Sequence, residues 1–233
     1  MMGSDMNDVQ VLRPRSRRRW LAHCTALGFA IGAALGAPAL AQGPRQNGGP
    51  LVLVVGDSLS AEYGLKRGSG WVALLEARLA QKKIAARVVN ASISGDTTSG
   101  GRTRLPTLLA QHPDIVVLEL GANDALRGLP LSMTRDNLDA MAKAAKASGA
   151  KVVITGMQLP PNYGRQYGDA FAALFASVAK AEGAALVPFL LKGVADVPQA
   201  ESLFQADRIH PIAAAHRTIL DNVWPAIEPL LKR

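Results

Sequence analysis

Five short aliphatic runs, Leu51–Val55, Ala86–Val89, Ile115–Leu120, Val152–Thr155 and Ala185–Pro188, recur along the chain with amphipathic stretches between them. None alternates apolar with polar residues, which is the pattern of strands covered on both faces. Helical spacing runs through Trp71–Lys83, Thr134–Ser148 and Tyr167–Glu182. Gly149 and Gly183 follow the last two, where a left-handed helix end favours glycine. Ile212–Leu231 supplies a last helix, interrupted or bent near Pro225. The alternation predicts an α/β fold, a parallel sheet with helices on both faces. With 233 residues, 48% of them apolar, and no internal repeat, one domain with a full-sized core is expected.

In such a sheet ligands bind beyond the carboxyl ends of the strands. The residues just past each run therefore bear on function. After the first come Gly56-Asp57-Ser58; after the second, Asn90-Ala91-Ser92-Ile93-Ser94-Gly95-Asp96-Thr97; after the third, Gly121-Ala122-Asn123-Asp124. The fourth leads into Met157-Gln158-Leu159-Pro160-Pro161-Asn162-Tyr163, and the fifth into a longer loop that reaches Asp207-Arg208-Ile209-His210-Pro211. Polar, turn-capable groups are thus expected along one edge.

Ser58 has two readings. It, or Asp57, caps a helix that starts directly after the strand, since both are favoured caps. Alternatively it attacks a carbonyl, although the surrounding sequence is not the G-x-S-x-G elbow. Asp207 and His210 favour attack. A serine hydroxyl needs a base to take its proton, and the base needs a partner to fix its tautomer. The D-x-x-H spacing supplies base and orienter from one short segment, although alone an aspartate and histidine capping a helix before Pro211 are the commoner explanation. Oxyanion donors are also at hand in the Ser58 N–H, the Gly95 N–H and the Asn123 amide. Taken singly, a turn at Gly95 and an Asn-Asp helix cap at Asn123 explain these residues as well. His112 precedes a strand, at the wrong end of the sheet, and His216 falls within the last helix.

Taken together, G-D-S-L-S, I-S-G-D-T, G-A-N-D and D-x-x-H in this order resemble the SGNH, or GDSL, hydrolase family. The stretches N-A-S-I-S-G-D-T, L-E-L-G-A-N-D-A-L-R-G and L-P-P-N-Y-G-R-Q-Y are similar to its bacterial periplasmic arylesterase, acyl-CoA thioesterase and lysophospholipase group. The resemblance spans residues 50 to 230. It implies a three-layer α/β/α sandwich on a five-stranded parallel sheet, flavodoxin-like in plan. It makes Ser58 the nucleophile, His210 the base and Asp207 its orienter, with Ser58, Gly95 and Asn123 forming the oxyanion hole. It also implies that the loop Ala125, Leu126, Arg127, Gly128, Leu129 and Pro130 covers the acyl chain, and that Leu159 and Pro160 line the pocket. Ala122 stands where close relatives often carry glycine.

The front of the chain reads as an export signal. R-P-R-S-R-R-R precedes an apolar run from Trp20 through Ala37, and A-L-A-Q then offers a cut after Ala41. A retained membrane anchor is the rival reading. S-R-R-R-W-L resembles a twin-arginine signal, with Trp20 where phenylalanine is usual, and a general secretory signal fits equally. Residues 42–49 are then a short flexible linker, residues 50–233 the domain, and the periplasm or exterior the destination. Cys24, the single cysteine, leaves with the signal, which excludes thiol catalysis, cysteine-bound zinc and disulfides from the mature chain.

Five arginines against two aspartates in residues 1–41 carry much of the formal net charge of +8, and the remainder is dispersed. That distribution argues against a nucleic-acid partner and allows weak contact with an anionic membrane. The expected protein is a monomeric esterase or thioesterase that needs no metal or cofactor. Its substrates are aryl or short-to-medium acyl esters, acyl-CoA thioesters and lysophospholipids. A carbohydrate O-deacetylase and a flavodoxin-like binder of a phosphorylated ligand are the alternatives.

Overall fold

In the computed structural model, described for residues 48–232, the strands are β1 (Leu51–Gly56), β2 (Arg87–Asn90), β3 (Ile115–Glu119), β4 (Lys151–Thr155) and β5 (Ala185–Val187). All pair in parallel in the order β2-β1-β3-β4-β5. The helices are α1 (Trp71–Gln81), α2 (Thr98–Leu109), α3 (Ala122–Leu126), α4 (Leu131–Ala147), α5 (Arg165–Glu182) and α6 (His216–Leu231). The expected signal at residues 1–41, and all of the expected linker except Gly48 and Gly49, lie outside the described residues. No helix of the described residues is long and apolar enough to cross a membrane.

Successive side chains of a strand point to opposite faces, so the aliphatic runs divide between two cores. Val52 and Val54 of β1 pack with Ile115, Val117 and Val153 against α1 and α6. Leu53 and Val55 pack with Val116, Leu118 and Ile154 against α2, α4 and α5. The result is the expected three-layer sandwich. β2 departs from the expectation of burial on both faces. As an edge strand it runs exposed, half-buried, half-buried, exposed, with Arg87 and Asn90 in solvent.

Three local differences from the sequence reading have physical causes. The alternative in which Asp57 or Ser58 caps a helix directly after β1 is not met; a series of turns leads instead to α1 at Trp71, where that helix was expected. α2 was not expected, because T-S-G-G-R-T-R-L-P-T-L-L combines two glycines with a proline. Packing overrides that propensity: Thr98, Gly101, Leu105 and Leu109 form its buried face. A Cβ on Gly101 would come 2.2 Å from the Leu120 side chain, so glycine lets α2 settle against the end of β3. Finally, α6 starts at His216, after a 3₁₀ turn at Ala213–Ala215, and runs through both Pro225 and Pro229 without interruption.

Candidate active site

The sheet order reverses direction between β1 and β3, and the loops after those strands part there to leave a crevice. Ser58 follows β1, Asn123 lies in α3 just beyond β3, and Gly95 follows β2. The long segment after β5 returns over the same edge with Asp207 and His210, pinned by a bridge between Phe204 and Pro211. Gln205 ties that segment to the Ser58 turn by donating its amide to the Tyr63 and Pro211 carbonyls.

His210 Nε2 lies 2.8 Å from Ser58 Oγ, and His210 Nδ1 lies 2.7 Å from Asp207 Oδ2. A carboxylate on Nδ1 keeps the proton there, which leaves the Nε2 lone pair for the serine hydroxyl. Asp207 is itself fixed, its Oδ1 accepting the N–H groups of Ile209 and His210. The His210 backbone N–H, with the ring and the Ile209 N–H behind it, holds the Asp207 carboxyl down to about 2. It therefore stays charged wherever an imidazole could act as a base. The Tyr63 ring packs on the His210 ring, with centroids 4.3 Å apart.

Ser58 and Gly95 both line the same crevice. Among the described residues neither the Ser58 N–H nor the Gly95 N–H has an internal acceptor. Gly95 holds φ +77°, a left-handed conformation that a side chain disfavours. The Asn123 amide is already engaged, donating to Asp57 Oδ2 at 3.0 Å and to the Asp96 carbonyl at 2.9 Å. Asp124 beside it is buried and accepts from the N–H and hydroxyl of Thr98, which locks the start of α2 to α3. Asn137 from α4 donates to the same Thr98 hydroxyl.

Below the serine runs a buried polar chain that sequence reasoning did not find. Glu119, at the end of β3, accepts from the Asp57 N–H and the Ser60 hydroxyl. The Trp71 indole N–H donates to that hydroxyl, and the Trp71 backbone N–H donates to His216 Nδ1. Burial pushes the Glu119 carboxyl well above its usual range, and the neighbouring Asp57 charge adds to the rise. Burial likewise pushes the Asp57 carboxyl up to about 6, against the pull of the Leu59 N–H and the His210 charge. The one signal for Glu119 was a lone acid inside an apolar run. His216, passed over in the sequence, is buried and held below its usual pKa by that burial.

The crevice opens into a cleft of about 820 Å³. Leu126, Leu159, Pro160, Phe189, Leu191 and Phe204 give it an apolar lining. Of the loop expected over the acyl chain, only Leu126 lines the cleft. Ala125 is buried in the core, Arg127 donates to the Gly95 carbonyl, and Gly128, Leu129 and Pro130 are not part of the lining. A carbonyl carbon at Ser58 Oγ would have a base in reach, residues with unengaged N–H groups in the same lining, and apolar side chains for its substituents.

The GDSL-like Lipase/Acylhydrolase family model matches residues 54–218. The chain is 53% identical over 188 residues to Esterase TesA of Pseudomonas aeruginosa, covering 80% of this chain and 92% of that one. It is 41% identical over 181 residues to Thioesterase 1/protease 1/lysophospholipase L1 of Escherichia coli K12, covering 77% and 84%. A crystal structure of TesA superposes with TM-score 0.74 at 54% identity, covering 77% of this chain and 99% of that one. The psychrotrophic esterase EstA from Pseudoalteromonas sp. superposes with TM-score 0.73 at 36% identity, covering 78% and 99%. With its site residues on the loops where those motifs lie, the chain belongs to the GDSL-like lipase/acylhydrolase family.

Proposed function

We infer that the protein is a carboxylic-ester hydrolase working through an acyl-serine. The observation that carries this reading is the contact chain Asp207 Oδ2 to His210 Nδ1 and His210 Nε2 to Ser58 Oγ, beside two unengaged N–H groups. His210 takes the Ser58 proton as the serine oxygen bonds to the carbonyl carbon. The electron pair of the C=O bond moves to oxygen and is held by the Ser58 and Gly95 N–H groups. Asn123 joins them by turning the hydrogen now on the Asp96 carbonyl. When the tetrahedral centre collapses, His210 returns its proton to the departing alkoxide or thiolate. Water then repeats the sequence on the acyl-serine, and Ser58 is regenerated. No step calls on a metal or organic cofactor.

The apolar walls suit aryl and short-to-medium acyl groups. The relatives' names, esterase and thioesterase/lysophospholipase, support extending the substrates to acyl-CoA and lysophospholipids. The basic and apolar front of the chain supports export to the periplasm by way of a signal cut after Ala41. A panel of p-nitrophenyl esters of graded chain length, acyl-CoA, lysophospholipid and acetylated xylan tests the reading. The wild type is expected to turn over the first three, and Ser58→Ala to lose on the order of 10⁴–10⁶ in kcat. Hydrolysis confined to acetylated xylan, or equal rates for Ser58→Ala, would overturn it.

A further inference from the structure

Large apolar side chains scattered singly over a surface are ordinary, whereas several gathered at one place mark a surface that touches something. Among the described residues the large hydrophobics most exposed are Tyr63, Ile93, Leu126 and Ile209, at 49%, 53%, 37% and 51%. They come from four separate stretches, yet all four lie at one place. Tyr63, Leu126 and Ile209 line the mouth of the cleft. Ile93 opens the turn that carries the lining residues Ser94 and Gly95, closed by the Asp96 N–H on the Ile93 carbonyl. Among the described residues, the large exposed apolar side chains thus gather at the rim of the site.

Cations are interleaved with it. Arg127 follows Leu126 and spends one guanidinium nitrogen on the Gly95 carbonyl, leaving the rest of its fork to solvent. Arg208 precedes Ile209, is exposed, and makes no ion pair among the described residues. It holds φ +57°, a strained conformation for a residue with a side chain. Asp196 and Glu201, on the segment between β5 and the His210 loop, are the acidic side of the lining. Apolar side chains beside arginines, on a chain with net charge +5 beyond residue 41, match the chemistry of an anionic phospholipid surface.

We propose that the cleft mouth docks on an anionic phospholipid surface, with Ile93, Tyr63, Leu126 and Ile209 entering the headgroup layer and Arg127 and Arg208 facing the lipid phosphates. Docked this way, an acyl chain passes from lipid to the apolar walls without crossing water. Only that last consequence rests on the reading of the site as an ester hydrolase; the docking itself does not. Repulsion at Asp196 and Glu201 tilts the contact toward the arginine side.

Flotation of the full chain with vesicles of phosphatidylcholine, with and without phosphatidylglycerol, tests the proposal. Every variant carries the same first 41 residues, so differences between variants report the rim. Ile93→Asp is expected to lower the partition coefficient onto phosphatidylglycerol vesicles about tenfold, and Ile93→Trp to raise it. Arg208→Glu should weaken binding to the anionic vesicles alone, and salt should weaken the wild type. Ile93→Asp should keep the melting temperature of wild type within a few degrees, because an exposed side chain is changed. Equal partitioning of wild type and Ile93→Asp, or no preference of the wild type for anionic vesicles, overturns the docking. A wild type that hydrolyses no ester while its binding still depends on Ile93 overturns the catalytic reading and leaves the docking standing.

Discussion

The backbone N–H of Trp71 donates to Nδ1 of His216 at 3.0 Å, joining the start of α1 to the start of α6 inside the protein. The acceptor exists only while the imidazole is neutral at that nitrogen, and burial keeps it so. In the unfolded chain the ring takes its proton near 6.5, and in the fold only at lower pH. Stability from this contact is therefore full above 6.5 and is lost as pH falls through the folded value. His216→Gln retains an acceptor that does not titrate. Urea unfolding at pH 7.5 and pH 5.5 should show a smaller loss for His216→Gln than for wild type; equal losses would contradict the contact. His216→Leu strands a buried N–H and should cost roughly 1–3 kcal/mol at pH 7.5.

Glu119 should work in the opposite direction. Its carboxyl is buried under the serine turn and held above the usual range. At low pH both folded and unfolded states hold the proton. As pH rises, the unfolded chain releases it first, and the fold loses stability through the folded pKa. Glu119→Gln removes the titration and keeps an oxygen for Ser60. The melting temperature of the variant, relative to wild type, should rise steadily from pH 4.5 to pH 8. A constant difference would show that Glu119 is not held protonated.

Gly95 and Gly149 separate a backbone effect from a chemical one. Both hold positive φ, +77° and +90°, and neither has a close neighbour where a Cβ would stand. Alanine at either position should cost about 1–2 kcal/mol of stability from strain. Gly149 lies beyond α4, away from the cleft, and Gly149→Ala should keep kcat. Gly95→Ala should lose stability and also at least about tenfold in kcat, because relief of the strain turns an oxyanion donor. Equal kcat values for the two variants would remove Gly95 N–H from the reaction.

Asn123→Ala should lower kcat by roughly 10²–10³ with little change in KM, since its hydrogen reaches the substrate oxygen only as charge develops there. The variant also frees Asp57, whose Oδ2 loses its partner. A rise in KM with kcat intact would place Asn123 in ground-state binding instead.

Much of the fold was legible because burial on two faces leaves long aliphatic runs: all five strands fall within a residue or so of their expected places. α2 was not, because Gly101 serves close approach to Leu120, and with Gly100 and Pro106 it hides the helix from a reading by propensity. Ser58 taken alone reads equally as a cap, and it was legible as a nucleophile only through its company of Asp207, His210, Gly95 and Asn123 in strand order. Tyr63 on the His210 ring joins residues distant in sequence, and no local pattern announces such a contact. Glu119 was hidden in plain sight as the last residue of a strand. The engagement of the Asn123 amide by Asp57 and Asp96 depends on three loops meeting, which spacing along one chain does not encode.

The most direct test is to map where an alkyl phosphonate ester binds covalently. Phosphonylation needs a hydroxyl activated by a base and N–H donors for the P=O oxygen, which are the features assigned to Ser58, His210 and Gly95. Peptide mass spectrometry should find one adduct per chain, on the Ser58 peptide, absent from Ser58→Ala and greatly slowed in His210→Ala. Labelling elsewhere, or labelling of Ser58→Ala as fast as wild type, would contradict the assignment.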